Sequence, residues 1–170
     1  IEIKLPNGTG LPSGDGSIVV EDNTVTLTTP SADLRDFAGI AAFRRGWVAG
    51  NNNVDIPTGV IIRNNTVSGY QQTSTSEGFG VVVEGTNMTV TGNTLTNNEV
   101  GAQVQGGHLP YTANTNVDGD QSNLADQFFG RGNSPVGCAV IDGNTFTGNT
   151  ADARKVGTGG TVVAENLDTG

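Results

Sequence analysis

The sequence predicts an all-β, single-domain fold in which parallel strands form a three-sided solenoid of about four to five coils. A tetrapeptide of the form Asn-Thr-apolar-Thr/Ser occurs four times, at residues 23–26, 65–68, 93–96 and 144–147. Each copy follows an apolar, β-prone run by a few residues, the runs being 18–20, 60–62, 88–90 and 139–141. Residues 88–104 contain three β-prone runs with neither a hairpin turn nor a helix-length segment between them. Strands joined by such short polar corners bend around one coil more easily than they fold back on each other.

The same patterns assign a side of the coil to each strand. Glycine precedes an apolar run at Gly80 and Gly101, which marks equivalent strands of a first side. The strands assigned to this first side are residues 1–5, 40–43, 80–83, 101–104 and 160–164. The β-branched runs form the second side and the tetrapeptides the third.

Within each tetrapeptide, the apolar residue alternates with hydroxyl side chains, so the period of two places it inside the coil. These inward residues are Val25, Val67, Leu95 and Phe146. The asparagines that open the tetrapeptides, Asn23, Asn65, Asn93 and Asn144, are expected to stack at one corner. Asparagine tolerates the left-handed backbone of a sharp corner, and its amide can form hydrogen bonds along the stack.

The other segments are assigned in chain order. Residues 1–5 alternate apolar and charged side chains and are predicted to be a half-buried strand of an incomplete opening coil. Residues 31–37 have the composition of a helix start and are predicted to form a single helical turn. The stretch around Arg154 and Lys155 is interpreted as a loop. The whole chain, 1–170, is one domain with loop excursions at 44–57, 69–78 and 106–135.

Composition restricts the classes of partner. The formal net charge is −9, with only two lysines, so the surface repels phosphate backbones and anionic membranes. We therefore expect no nucleic-acid partner and no membrane insertion, since no apolar run approaches spanning length. The start at Ile1 indicates a processed product or an excised piece of a longer chain. The acidic, Thr- and Asn-rich composition favours export, to an extracellular or cell-surface location. The single cysteine, Cys138, excludes an internal disulfide and is predicted to be a small buried core residue.

The Gly-Asn-Thr corners and alternating strands resemble those of the right-handed parallel β-helix proteins, the pectate-lyase-like superfamily that also includes tailspikes and many surface proteins. The resemblance covers residues 17–164 and implies a right-handed coil. In the pectate-lyase-like enzymes the substrate cleft lies on a loop-walled face. The resemblance therefore implies that the first side, which the predicted loops flank, is the face to test for a polysaccharide.

That alternative, a polysaccharide-binding or polysaccharide-cleaving domain, lacks a convincing catalytic constellation. Glu84, Gln103 and Gln105 lie on first-side strands, without the paired carboxylates that hydrolysis needs. We assign no catalytic residue and lean against an enzyme. The candidate binding residues are side chains in the predicted loops that can stack on or hydrogen-bond to a sugar: Arg44, Arg45, Trp47, His108 and Tyr111.

One loop segment has the ligand spacing of a calcium site. Oxygen-bearing side chains alternate at Asn114, Asn116, Asp118 and Asp120, with a glycine at the sixth position. The twelfth position, where a bidentate glutamate is expected, is Ala125. A plain acidic loop is therefore the favoured interpretation, and calcium is the one cofactor that the sequence suggests at all.

The outward hydroxyls of the third side would form two parallel ranks on a flat face. They resemble the threonine ranks of β-helical ice-binding proteins, and this gives a lesser alternative function. Threonine is also an ordinary exposed residue of a strand.

The leading hypothesis is a structural or surface module that assembles with itself or acts in adhesion. Solenoids normally need capped ends to stay soluble, and uncapped parallel strands expose groups that can pair with another chain. We therefore expect a homo-oligomer made by axial, head-to-tail stacking into a filament. The residues assigned to this interface are Ile1, Ile3, Leu5, Val162 and Val163.

Overall fold

The structure, a computed structural model, describes residues 1–5, 18–30, 37–44, 58–73, 77–106, 137–156, 160–164 and 167–168. These residues are mostly β-strand and contain no helix, so none of them forms a helix that could cross a membrane. In chain order, the strands are β1 (Glu2–Leu5), β2 (Ile18–Glu21), β3 (Thr24–Thr26), β4 (Phe37–Arg44), β5 (Val60–Arg63), β6 (Thr66–Ser68), β7 (Gly78–Thr91), β8 (Thr94–Thr96), β9 (Val100–Gln105), β10 (Gly137–Asp142), β11 (Thr145–Thr147), β12 (Ala151–Val156), β13 (Val162–Ala164) and β14 (Leu167–Asp168).

All pairings between these strands are parallel and fall into three stacks. Sheet A has the order β1-β4-β7-β9-β12-β14. Sheet B has the order β2-β5-β7-β10-β13. Sheet C has the order β3-β6-β8-β11. The chain visits A, B and C in turn as far as β13, after which β14 returns directly to sheet A. The prediction of an all-β fold with parallel strands is confirmed.

Strand β7 belongs to two of the stacks. Its first half pairs with β4 and β9 in sheet A, whereas its second half pairs with β5 and β10 in sheet B. Gly85 lies between the halves with φ 103°. A bend there needs a residue that adopts positive φ at no cost, which is glycine.

The corner between sheets B and C has two residues in every coil. Its first residue has positive φ in each case, at Asp22, Asn64, Gly92 and Gly143. The stacked asparagine is its second residue. The predicted asparagine stack is therefore confirmed, but the left-handed conformation belongs to the preceding residue rather than to the stacking one.

The interior is one apolar cluster formed by the inward residues of all three sheets. Each row runs along the axis, as in Val25, Val67, Leu95 and Phe146 of sheet C. Val67 and Leu95, in the middle of this row, are fully buried, while Val25 and Phe146 at its ends are half-buried. The predicted inward register of the third side is confirmed.

The assignment of the last coil was wrong. Strand β12 takes the sheet A position, next to β9, where the sequence suggested a loop around Arg154. Strand β13, which falls within residues 160–164, pairs with β10 in sheet B and so lies on the second side, not the first. The charged, alanine-rich sequence of β12 has no run of β-branched residues, which is why its pattern did not indicate a strand.

The helical turn predicted for residues 31–37 lies outside the described residues, except for Phe37, which begins β4.

Candidate functional site

The outward side chains at the centre of sheet A, on β7 and β9, are buried. Val81 and Val83 point into the core cluster, and the alternate residues Val82 and Glu84 point to the other side of the sheet. Both of these outward residues are fully buried. On the neighbouring strand β9, the outward residues Gln103 and Gln105 are also fully buried.

A chain of hydrogen bonds connects the polar residues of this face. Gln105 donates through Nε2 to Glu84 Oε1 at 2.9 Å, and Gln103 donates through Nε2 to Gln105 Oε1 at 2.7 Å. Arg154 on β12 donates from Nε to Gln103 Oε1 at 2.7 Å. Its two terminal nitrogens donate to Glu77 at 2.8 and 2.6 Å, in a bidentate ion pair.

This polar chain lies over an apolar patch. The guanidinium of Arg154 is 5.7 Å from the centre of the Phe79 ring, a cation–π distance. Phe79 forms a second apolar cluster with Ala41, Val82 and Val100. Because these side chains and the glutamines are buried, the face that the family resemblance singled out for a polysaccharide is not an open cleft within the described residues. Its polar groups connect strands rather than line a groove.

At the corner between sheets B and C, the asparagine stack is a hydrogen-bonded ladder with one direction. In each step, an asparagine donates from its backbone nitrogen and its Nδ2 to the Oδ1 of the asparagine one coil later. The distances are 3.0 and 2.9 Å from Asn23 to Asn65, 2.9 and 2.9 Å from Asn65 to Asn93, and 2.9 and 2.9 Å from Asn93 to Asn144. Asn65 and Asn93 are almost wholly buried, and their amides are fully used.

A second ladder, which the sequence analysis did not identify, lies at the corner between sheets C and A. The backbone nitrogen of Tyr70 donates to Asn98 Oδ1 at 3.1 Å. Asn98 in turn donates from its backbone nitrogen and Nδ2 to Asn149 Oδ1, at 3.0 and 3.2 Å. The available signal was the recurrence of asparagine five positions after Asn93 and Asn144.

The outward residues of sheet C form the two expected ranks of hydroxyl side chains. The strand register aligns Thr24, Thr66, Thr94 and Thr145 in one rank, and Thr26, Ser68, Thr96 and Thr147 in the other. These residues are exposed or half-buried, and Thr26 and Ser68 share a hydrogen bond of 3.1 Å. The face is regular along its four strands.

Sheet B has a different outer face. Its register aligns Val19, Ile61, Thr89, Val140 and Val163 in one row. Val19 and Val140 are exposed, and Val163 is 67% exposed. A shallow groove of about 160 Å³ runs beside this row and is lined in part by Cys138. Cys138 is half-buried rather than a core residue, so that prediction was wrong.

The ends of the molecule leave apolar residues incompletely covered. At the first coil, Ile3 and Ile18 are half-buried while their neighbours Ala42 and Val60 in the next coil are almost fully buried. At the last coil, Val162 is likewise half-buried on β13. Of the residues assigned to the interface, Ile1 and Ile3 lie on or beside β1, Leu5 ends that strand, and Val162 and Val163 lie on β13.

Four of the five loop residues proposed for sugar binding fall in parts of the chain that the structure does not describe. Arg45, Trp47, His108 and Tyr111 lie outside the described residues, and Arg44 is the last residue of β4. The calcium ligands predicted at Asn114, Asn116, Asp118 and Asp120 also lie outside them. Within the part of the chain that the structure describes, no three metal-ligating side chains cluster.

We found no match to this chain among protein-family models, curated proteins or solved structures.

Proposed function

We propose that the chain is a right-handed parallel β-helix that serves as an extracellular structural or surface module and assembles with other copies through its ends. Three parallel sheets visited in turn support the fold, and the strong bias of parallel crossovers supports the hand. The buried outer face of sheet A favours a structural role over polysaccharide cleavage, because a substrate needs accessible side chains.

The assembly proposal rests on the incomplete burial of apolar residues in the end coils. In sheet C the inward row is buried in the middle of the molecule, at Val67 and Leu95, and half-buried at its ends, at Val25 and Phe146. The end strands also pair on one edge only within the described residues. A neighbouring coil would cover the apolar residues and pair the strand edges at the same time.

The two ends are different surfaces, so contact between them is heterologous and repeats without closing. The asparagine ladder adds polarity, because its donors face later coils and its acceptors face earlier ones. Head-to-tail stacking keeps that direction, whereas head-to-head contact would oppose two acceptor ends. We therefore propose an open filament rather than a closed dimer.

The test compares two lysine substitutions on the same end strand. Val25→Lys places a charge on the inward, half-buried position of β3, and Thr24→Lys places it on the outward, exposed position. Light scattering and sedimentation at increasing protein concentration should show particles of growing size for the wild type and Thr24→Lys, and a monomer for Val25→Lys. A wild type that stays monomeric at high concentration contradicts the proposal, as does Val25→Lys assembling normally.

Deletion of residues 1–5 tests the position of the joint. These residues contain β1, the edge strand of sheet A in the first coil. Filaments of unchanged length after this deletion would place the joint elsewhere.

The hydroxyl ranks of sheet C favour a second candidate function, binding to ice. Four strands in exact register would hold the hydroxyls at the strand spacing of about 4.8 Å along the axis, which is the kind of repeat that an ordered water surface can match. Thermal hysteresis that is lost in Thr94→Lys and kept in Thr89→Lys, a control on sheet B, would support it. No thermal hysteresis in the wild type would exclude it.

A further inference from the structure

The three sheets do not end at the same level at the C-terminal end of the molecule. Sheet C ends with β11, whereas sheet B continues beyond β10 with β13, and sheet A continues beyond β9 with β12 and β14. The fifth position of sheet C is therefore vacant within the described residues, and strands occupy the corresponding position on the other two sides. We call the side of residues 144–149 that faces this vacant position the β11 edge.

Every interior coil makes the same three hydrogen bonds across the equivalent edge. Asn65, Gly69 and Tyr70 donate from their backbone nitrogens to Asn93 Oδ1, Thr96 O and Asn98 Oδ1, at 2.9, 3.1 and 3.1 Å. One coil later, Asn93, Asn97 and Asn98 donate to Asn144 Oδ1, Thr147 O and Asn149 Oδ1, at 2.9, 2.9 and 3.0 Å. Each set of acceptors is two asparagine amides with a strand carbonyl between them.

At the β11 edge the corresponding donors are the backbone nitrogens of Asn144, Gly148 and Asn149. None of the three has an acceptor within the described residues. Between them lies Phe146, the inward residue of β11, which is half-buried and in the same row as Leu95. The edge thus combines three oriented N–H donors with an apolar residue that no further strand of sheet C covers within the described residues.

From this arrangement we infer that the β11 edge is a binding site for an extended segment of a partner polypeptide that adds as a parallel fifth strand of sheet C. The segment carries asparagines five positions apart, to accept from Asn144 and Asn149, and an apolar residue two positions after the first asparagine, to cover Phe146. This is strand addition to an exposed sheet edge, in which main-chain hydrogen bonds supply affinity and alternate side chains supply specificity.

The opposite end of sheet C does not make an equivalent site. Sheets A, B and C all begin in the same coil there, with β1, β2 and β3, so none of the described strands extends beyond β3 on either side of it. That end also offers the acceptor, Asn23 Oδ1, rather than the donors. A single strand therefore has more to contact at the β11 edge.

The inference rests on the proposed function, because it specifies the partner segment at one of the two ends through which the module assembles. The fifth position of sheet C lies beside β12, β13 and β14, which extend the other two sheets beyond β11. An extended segment fills that position without displacing these strands.

The experiment uses a fluorescent synthetic peptide with the sequence of residues 91–98, in which Asn93 and Asn98 are the two asparagines five positions apart and Leu95 is the apolar residue. The protein is the full chain with Val25→Lys, which is blocked at the other end. We expect saturable binding by fluorescence anisotropy. A peptide in which both asparagines are replaced by alanine should bind at least about fivefold more weakly, because it lacks two hydrogen-bond acceptors.

The matched control compares lysine substitutions at the two ends of sheet C. Val25 and Phe146 are both half-buried inward residues, at opposite ends of sheet C. The Val25→Lys protein should bind the peptide, and adding Phe146→Lys at the β11 edge should abolish that binding. Because Phe146 packs against the core cluster, its replacement also tests the stability of the fold. Amide hydrogen exchange of the Val25→Lys protein therefore gives a second readout. The amides of Asn144, Gly148 and Asn149 should exchange more slowly when the peptide is bound.

Absence of peptide binding, equal binding of the alanine peptide, or unchanged exchange at these three amides would overturn the inference. If wild-type filaments form while the peptide does not bind, this inference fails and the proposed function stands. If the peptide binds at the β11 edge while the wild type remains monomeric, the inference stands and the filament proposal fails.

Discussion

Asn93 accepts two hydrogen bonds from Asn65, one from its backbone nitrogen and one from its Nδ2, both at 2.9 Å. The same pair of bonds recurs between successive coils along the stack, and always in the same direction. A buried amide used in this way satisfies backbone groups that a sharp corner would otherwise leave unpaired. The ladder therefore stabilises each corner and also fixes the alignment of neighbouring coils.

The asparagine ladder predicts that replacing an interior asparagine lowers the free energy of unfolding more than replacing the asparagine at its end. In Asn65→Ala, the backbone nitrogen of Asn23 and the carbonyl of Val20 lose their partners, which costs about 1–3 kcal/mol for each buried group left unsatisfied. In Asn23→Ala, the bonds lost are an exposed one to the Glu21 carbonyl and one to Asn65, so we expect a loss of about 1 kcal/mol or less. Urea denaturation of both variants measures the difference. Equal losses would mean that the interior amide has no special role.

The alternation of inward and outward side chains on β8 predicts that aspartate substitutions at two adjacent residues have opposite effects on folding. Leu95 is fully buried in the core cluster, so Leu95→Asp buries an unpaired carboxylate and should unfold the domain. Thr96 is half-buried on the outer face, where an aspartate can remain hydrated, so Thr96→Asp should keep the fold. Circular dichroism and solubility of the two variants check this. Similar behaviour of the two would contradict the register.

Burial of Tyr70 predicts a loss of stability at alkaline pH. Burial raises the pKa of the Tyr70 phenol above its ordinary value of about 10. The unfolded chain then loses this proton at lower pH than the folded one, so the contribution is present below about pH 10 and is lost as pH rises further. Tyr70→Phe should reduce the fall in the urea midpoint between pH 9 and pH 11. The matched control is Tyr111→Phe, which replaces the second of the two tyrosines and should leave the Tyr70 contribution in place. An unchanged fall in Tyr70→Phe would contradict the prediction.

The sequence was sufficient for the corners and the third side because their physical requirements are local. A two-residue corner needs one residue that accepts positive φ and one amide that bonds along the axis, and these needs restrict the residue types at Gly92 and Asn93. The glycine marker before first-side strands also has a local cause. A Cβ on Gly101 would lie 2.6 Å from the Asp152 carbonyl oxygen and 2.7 Å from the Phe146 ring, so no larger residue fits without displacing them.

The features that the sequence did not predict depend on contacts between distant residues. Strand β12 has charged side chains, and Arg154 is held by Glu77 and Gln103, which are 77 and 51 residues away in sequence. The residue pattern of β12 itself does not indicate partners that are so distant in sequence. The burial of Gln103 and Gln105 was missed for the same reason, since a glutamine on the outer side of a strand is ordinarily exposed.

Two ion pairs between described residues, Arg63 with Glu21 and Arg154 with Glu77, should contribute unequally to stability. Arg63 and Glu21 form an exposed pair on the outer face of sheet B, through Nε and one terminal nitrogen to a single carboxylate oxygen, at 2.7 Å each. Arg154 meets both carboxylate oxygens of Glu77, and its Nε is held in place by Gln103. A guanidinium fixed in this way loses less freedom on pairing and gains two directed bonds.

A double-mutant cycle on each pair, with Arg→Met and Glu→Gln substitutions, measures the difference. We expect a coupling energy of about 0.5 kcal/mol or less for Arg63 and Glu21, largely removed by 1 M salt, as is typical of exposed pairs. For Arg154 and Glu77 we expect about 1 kcal/mol or more, with weaker dependence on salt. The Arg154→Met single variant should also lose stability beyond this coupling, because it leaves Gln103 without one of its hydrogen bonds. Coupling energies that are equal for the two pairs would show that the polar chain on sheet A contributes no more than an ordinary surface contact.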